Sequence, residues 1–395
     1  MKDSSYNIFK NILDKNIVYD NNLQVNDNIS DYVSDINKKY MYFTDKNYLN
    51  NNNTNTCNII PNSIKIKKTK TVKKKVNIDV TINNIGDLLQ LINTYPVDPL
   101  IDYNIDIITL HAIKQPLTEL NNMIGLKSLK TNIVEQIIYF IQKFHLKSSK
   151  DFMHTILCGP PGTGKTEIAK ILGRLFTKLG ILEKGTFRKV TRSDLVAGYL
   201  GQTAIKTTDV IKESLGGVLF IDEAYSLGNS DNRDSFSKEC IDTLCESLSD
   251  YKDKLMVIIA GYEDELEKCF FRYNEGLESR FSWRFRTEDY SANDLMCIFK
   301  KKITDIKWTL DDECNLTEEW FANNIKHFCF FGRDIETFLA KVKLAHSTRV
   351  FCKEDEYKTK INMQDIDNGL KIFINNKSDI KNDTLNKYLQ NTMYC

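Results

Sequence analysis

Gly159-Pro160-Pro161-Gly162-Thr163-Gly164-Lys165-Thr166 is the stretch that decides the fold of this chain. It fits G-x-x-x-x-G-K-[ST], the pattern of a phosphate-binding P-loop. An apolar, strand-like run from Met153 to Cys158 precedes it. Glu167-Ile168-Ala169-Lys170-Ile171-Leu172 follows and reads as the first turns of a helix. That setting matters more than the pattern, because such a loop works only where it joins a strand to a helix N-terminus. There the backbone N–H groups point inward and the helix dipole adds positive potential, so the turn holds polyphosphate. Glycines at 159, 162 and 164 allow close backbone approach. Lys165 is expected to reach the β- and γ-phosphates of a nucleotide, and Thr166 to place its hydroxyl on Mg²⁺.

The second informative stretch is Gly216-Gly217-Val218-Leu219-Phe220-Ile221-Asp222-Glu223. Four apolar residues read as a buried strand, and two carboxylates stand at its C-terminal end. An open α/β sheet places its ligands at that end. Asp222 is expected to hold Mg²⁺ through water, and Glu223 to orient or deprotonate the attacking water.

Outward from these two stretches, strands alternate with helices. Strands are predicted over Thr155–Cys158, Phe187–Thr191, Val218–Asp222, Met256–Ala260 and Trp283–Arg286. Helices are predicted over Lys127–Lys143, Lys165–Leu179, Thr203–Ser214, Ser235–Ser249 and Glu263–Phe270. Alternation with short turns implies a parallel sheet covered on both faces. Past Tyr290 the strand signals fade. Asn293–Thr304, Thr317–Cys329, Asp334–Val350 and Met363–Ile374 read as helices of a small second domain. The expected fold is therefore α/β, a P-loop NTPase sheet sandwiched by helices and followed by an all-α lid. The expected division is an arm over 1–115, a nucleotide-binding domain over 116–288, a lid over 289–378 and a tail over 379–395.

Residues 1–115 are rich in Asn, Asp, Lys and Ile, include Asn50-Asn51-Asn52-Asn53 and almost lack glycine. Most of this arm is expected to be disordered. Two short exceptions stand out: Val76 to Ile82 alternates like a strand, and Ile85 to Ile92 is helix-like and ends before Tyr95-Pro96. Lys65 to Lys75 carries seven lysines in eleven residues, a candidate contact for nucleic acid or an import receptor. It has no arginine and no aromatic residue, so bidentate reading and base stacking are missing, and a solvated spacer is the plainer account.

Composition bounds the rest. A net charge of +1 across 395 residues gives no global field toward nucleic acid or membrane. Ten cysteines include no C-x-x-C pair, which argues against a disulfide framework or zinc site. There is no apolar N-terminal signal segment and no bilayer-length apolar run. A soluble intracellular protein is expected, cytoplasmic or nuclear, with no membrane partner. The five histidines show no ligand spacing. His154 and Cys158 are expected to be packed rather than reactive.

The P-loop, the strand ending Asp222-Glu223-Ala224 and the later Ser279-Arg280-Phe281 together resemble an AAA+ ATPase. The closer resemblance is to the branch of red-type Rubisco activase and stage V sporulation protein K. It rests on Ile124-Gly125-Leu126, Val190-Thr191-Arg192-Ser193-Asp194-Leu195-Val196, Gly198-Tyr199-Leu200-Gly201-Gln202-Thr203-Ala204, Gly217 through Tyr225 and Ile259-Ala260-Gly261-Tyr262. It covers about residues 117 to 350 and does not extend to the first 115.

The resemblance implies a homo-oligomeric ring, usually of six, with ATP between neighbouring subunits. It implies that Arg280 serves the adjacent subunit's γ-phosphate, a planar cation meeting charge that develops in phosphoryl transfer. Arg284 and Arg286 are rivals for that role. Arg333 falls on the sensor-2 position of the lid, although Glu336 stands where relatives carry a second basic residue. Ile124 and Gly125 would wrap adenine; the residues alone fit a helix-start turn equally well. Tyr199 and Leu200 would line a central pore and grip a polypeptide through apolar contact, against the plainer account that Tyr199 packs on its own domain. At the sensor-1 position the strand ends Ala260-Gly261-Tyr262, so Tyr262 either replaces the usual polar group or only packs. The expected function is ATP-driven remodelling of a protein client. The alternatives are a nucleic-acid-dependent motor or loader tethered by Lys65–Lys75, and a nucleotide-gated scaffold.

Overall fold

The computed structural model describes residues 73–146, 152–199, 201–228 and 234–392, with side chains to 377 except at 275. Five strands form a fully parallel sheet: β3 (Thr155–Cys158), β4 (Phe187–Val190), β5 (Val218–Ile221), β6 (Met256–Gly261) and β7 (Trp283–Arg286). Their order across the sheet is β4-β5-β6-β3-β7. The chain leaves β3 near the middle and crosses to the far edge for β4, so the crevice for a ligand opens at the C-terminal ends beside β3.

Strand alternation divides the core in two. Leu157, Phe220, Ile258, Ala260 and Phe285 face one side, where α4 (Lys127–Ile141) and α5 (Lys165–Lys178) cover them. Ile156, Cys158, Leu219, Ile221, Val257 and Ile259 face the other side. There α7 (Thr203–Ser214), α8 (Ser235–Asp250) and α9 (Glu263–Cys269) close the layer. Such two-sided burial explains why β3, β5 and β6 read as unbroken apolar runs. Short helices α6 (Arg192–Leu195) and α10 (Glu275–Glu278) lie in the connections.

The lid follows as α11 (Ala292–Asp305), α12 (Glu318–Asn324), α13 (Phe331–Val350) and α14 (Met363–Thr392). Phe299, Phe321, Phe328, Phe338 and Phe373 are buried together in its centre. Two features depart from the sequence reading. A two-residue parallel pair joins β8 (Thr309–Leu310) to β9 (Lys360–Ile361) inside the helical region. In addition α14 runs on to Thr392, through most of the stretch expected to be a loose tail.

The largest correction concerns the arm. Residues 73–115, expected to be mostly disordered, are folded. β1 (Lys74–Val76) pairs with β2 (Ile101–Tyr103) across the connecting helix α1 (Ile85–Thr94), and α2 (Ile107–Ala112) and α3 (Lys114–Asn121) follow. Asn84 and Asp87 close a capping box at the start of α1. Ile85, Leu88, Leu91 and Ile92 recur at helical spacing and join the main core. The strand expected over Val76–Ile82 is shorter; beyond Val76 the Asn104 side chain ties Ile78 through its N–H (2.9 Å) and carbonyl (3.1 Å) instead. Residues 1–72, with the Asn50–Asn53 run and most of the Lys65–Lys75 tract, lie outside the described residues. Among the described residues no helix is long and apolar enough to cross a membrane.

Candidate nucleotide site

The P-loop backbone shows why its glycines stand where they do. Gly159, Gly162 and Gly164 have φ of 144°, 79° and 86°, a region that other residues rarely adopt. A Cβ on Gly162 would lie 2.0 Å from the Phe330 carbonyl oxygen, where the lid touches the loop. The Gly332 N–H donates to the Gly162 carbonyl at 3.0 Å. The first turn of α13 is thereby seated on the P-loop.

Thr163 braces the loop from inside. Its hydroxyl lies 2.8 Å from the Pro160 carbonyl and 2.8 Å from the Thr287 hydroxyl just past β7. The Tyr290 hydroxyl donates to the Thr163 carbonyl at 3.1 Å. Lys165 donates to the Gly159 and Pro160 carbonyls at 2.8 and 2.9 Å. Burial lowers its pKa, while the nearby Glu223 and Asp222 carboxylates act to raise it.

Asp222 and Glu223 follow β5. The Asp222 N–H donates to the Val190 carbonyl at 3.1 Å, and Lys189 pairs with its carboxylate at 2.6 Å. Glu223 adopts a left-handed backbone, φ 52° and ψ 50°, a conformation that costs about 1–2 kcal/mol for a residue with a Cβ. Its Oε2 is buried and, among the described residues, has no hydrogen-bond partner. Burial first, and then the Glu223 carboxylate, raise the pKa of the neighbouring Tyr225 phenol. A held carboxylate with one bare oxygen is suited to take a proton from water.

These groups converge on one cavity of about 630 Å³. Pro161, Gly162, Gly164, Lys165 and Thr166 line its floor, Asp222 and Glu223 one wall, and Arg333 the lid side. Ile124 lines it too, with Met123, Ile171, Tyr290 and Ile298 as apolar neighbours. Gly125 stands next to Ile124 at φ 67°, and a Cβ there would meet the Tyr290 ring at 2.9 Å. The close approach explains the glycine.

Sequence reasoning missed Tyr290, Thr287, Lys189, Lys301 and Lys302. None lies in a motif; each reaches the site through strand register or lid packing. Lys301 donates to the Asn122 carbonyl at 2.9 Å, which ties α11 to the segment before Ile124.

Other expected residues lie apart from the cavity. Arg280 donates to the Ser249 hydroxyl at 2.7 Å and the Gly276 carbonyl at 2.6 Å. Arg284 pairs with Glu267 and Glu278, and Arg286 with Glu263. The Tyr262 ring lies tilted against Tyr225, centroids 6.1 Å apart, with the Lys165 ammonium 6.0 Å from its ring centre. Tyr199 is 74% exposed; Leu200 lies outside the described residues. His154 is buried and held at both ring nitrogens: Val257 N–H donates to Nδ1, and Nε2–H to the Leu248 carbonyl, both at 3.1 Å. Cys158 is buried, and desolvation pushes its thiol up to about 11.

Sequence comparison decides what this cavity belongs to. The model of the family described as "ATPase family associated with various cellular activities (AAA)" matches residues 155–285. A putative cfxQ-like protein of Acanthamoeba polyphaga mimivirus is 42% identical over 289 residues, 72% of this chain and 71% of that protein. The chain belongs to the AAA ATPase family. Stage V sporulation protein K of Bacillus subtilis is 41% identical over 213 residues, 53% of this chain and 64% of that protein. The chloroplastic ribulose bisphosphate carboxylase/oxygenase activase of Cyanidioschyzon merolae is 34% identical over 263 residues, 64% of this chain and 88% of that protein. As an AAA protein the chain is a nucleotide-binding ATPase, related to the CfxQ and sporulation protein K branch.

Proposed function

We propose that this AAA ATPase hydrolyses ATP in the cavity between the P-loop and α13, and that it works as a ring, of six copies in our reading, to remodel a protein client. One observation carries the reading: Lys165, Thr166, Asp222, Glu223 and Arg333, drawn from three separate stretches of chain, line a single cavity. The kinship to an activase and to a sporulation protein supports a protein client rather than a nucleic acid.

The residues divide the task. Backbone N–H groups of 162–166 at the start of α5 receive phosphate oxygens, and Lys165 supplies a cation from the loop's own carbonyls. Glu223 takes the proton from the attacking water through its bare Oε2. The donors present also suit Mg²⁺. Thr166 and Asp222 offer oxygens to the same cavity, and Asp222 already draws a cation, the Lys189 ammonium. When bound, Mg²⁺ would neutralise phosphate charge. Arg333 senses the nucleotide from the lid.

Arg280 reaches none of its own chain's cavity, which agrees with service to a neighbour's γ-phosphate. Tyr199, exposed between Gly198 and Gly201, would grip the client. A conservative substitution tests the assignment. Glu223→Gln should lower ATP turnover by about 10²–10⁴-fold while nucleotide binding persists. Near wild-type turnover rejects Glu223 as the base. The same variant, loaded with ATP, should retain the client in a pull-down.

A further inference from the structure

Lys189 belongs to no motif, yet it is the cation that touches the Asp222 carboxylate. Its position is set by the sheet. β4 is an edge strand, and Val190 pairs with Ile221 while its carbonyl accepts from the Asp222 N–H at 3.1 Å. Val190 turns into the core, so Lys189 turns to the other face. From there its Nζ lies 2.6 Å from Asp222 Oδ2. Lys165 does not take this place, because its ammonium is held by the Gly159 and Pro160 carbonyls.

We propose that Lys189 competes with the divalent cation for the Asp222 carboxylate and so sets the Mg²⁺ concentration at which the site loads. The inference rests on the reading of Asp222 as a metal-side ligand. An ammonium at 2.6 Å and a hydrated divalent cation cannot both occupy the hydrogen-bonding side of one carboxylate oxygen, since like charges repel at that range. The pair is built to yield: the lysine side chain is 47% exposed and the aspartate 21%. An exposed pair is weak and screened by salt, so the metal displaces it without unfolding anything. Lys189 is thus a positioning residue: it holds Asp222 in place before loading and swings into water after it.

The test uses the full chain and a slowly hydrolysed fluorescent ATP analogue, titrated with MgCl₂ at low ionic strength. Lys189→Met should lower the Mg²⁺ midpoint for binding about threefold, the ratio that corresponds to an exposed ion pair. That difference should shrink in 0.5 M salt, at roughly a 4 Å screening length. Lys189→Arg, which keeps the charge, should stay at the wild-type midpoint. An unchanged or raised midpoint in Lys189→Met overturns the proposal, as does an equal shift in Lys189→Arg. Asp222→Asn separates the two layers. If metal dependence survives in Asp222→Asn, the ligand reading itself fails. If it disappears there while Lys189→Met matches wild type, only the competition fails.

Discussion

The α/β half and the helical lid meet at the same cavity, but they hold their side chains by different means. In the α/β half the backbone does the holding. Gly162 and Gly164 take positive φ, Glu223 is itself in a left-handed conformation, and Thr163 is braced from Pro160, Thr287 and Tyr290. In the lid, buried charge does it. Asp334, nearly inaccessible, accepts from the Phe330 N–H and from Lys377, both at 2.8 Å, and so fixes the first turn of α13 that carries Arg333. Further along, Asp365 accepts two bonds from Arg349, each 2.8 Å, and lies 2.9 Å from His346 Nδ1. The difference teaches where damage should appear. Changes to the cavity-lining residues of either half act on the chemistry, whereas changes to the buried charges of the lid, Asp334 and Asp365, act through its stability.

The strongest way to break this contrast is Asp365→Ala. It leaves the Arg349 guanidinium without its counter-charge in a mostly buried position, a loss worth about 3–5 kcal/mol. Calorimetry should show the lid melting earlier as its own transition, with the α/β transition in place. A single transition that falls as a whole would mean that the two halves are one cooperative unit.

Acid should separate the halves in the opposite direction. Burial holds the His154 pKa down to about 4, with the Leu248 carbonyl opposing and Arg280 adding to the depression. The folded α/β half therefore favours the neutral ring. Its contribution is full above pH ~6.5, the unfolded value, and is lost as pH falls toward about 4, on the order of 3 kcal/mol in all. Asp365 works in a lower window. Burial would raise its pKa, but hydrogen bonds from Arg349, His346 and the Asn362 N–H outweigh that and hold it below the ordinary carboxylate value. Its stabilisation is present above that ordinary value and is lost only as pH falls through the lower folded one. Thermal melts from pH 7 to 4.5 should thus weaken the α/β half first. His154→Asn, which keeps an acceptor but cannot charge, should flatten that dependence; an equally steep profile would place the sensitivity elsewhere.

How far the sequence disclosed all this follows the same division. The P-loop and Asp222-Glu223 could be placed from sequence because each is a run of consecutive residues after an apolar strand, and the structure brings both to one cavity. All five sheet strands were placed within one residue at each end, since two-sided burial of β3, β5 and β6 leaves an unmistakable apolar run. Lys189 and Thr287 were not legible, because only strand register brings them to the site. In residues 73–115 the helix over Ile85–Ile92 was legible from its apolar spacing, whereas β2 and the helices over 107–121 were not, because asparagine and lysine content was weighed above their short apolar signals. The extension of α14 carries no such apolar stripe, and nothing local announced it.

Tyr290 gives the finest probe, because it belongs to both halves. Its hydroxyl donates to the P-loop carbonyl of Thr163, its ring lies 5.9 Å from Phe331 at the start of α13, and Gly125 packs against its edge. Burial pushes the phenol up to about 12, so it stays a donor across the physiological range. Tyr290→Phe keeps the ring and removes only the donor. The Thr163 carbonyl, flanked by two residues at positive φ, then loses a restraint worth about 1 kcal/mol. Nucleotide affinity should fall by up to about fivefold, while turnover at saturation holds, because Glu223 and Lys165 are untouched. If instead affinity is unchanged, the hydroxyl carries no weight, the Tyr290 ring serves packing alone, and the α/β half holds its loop without help from this side.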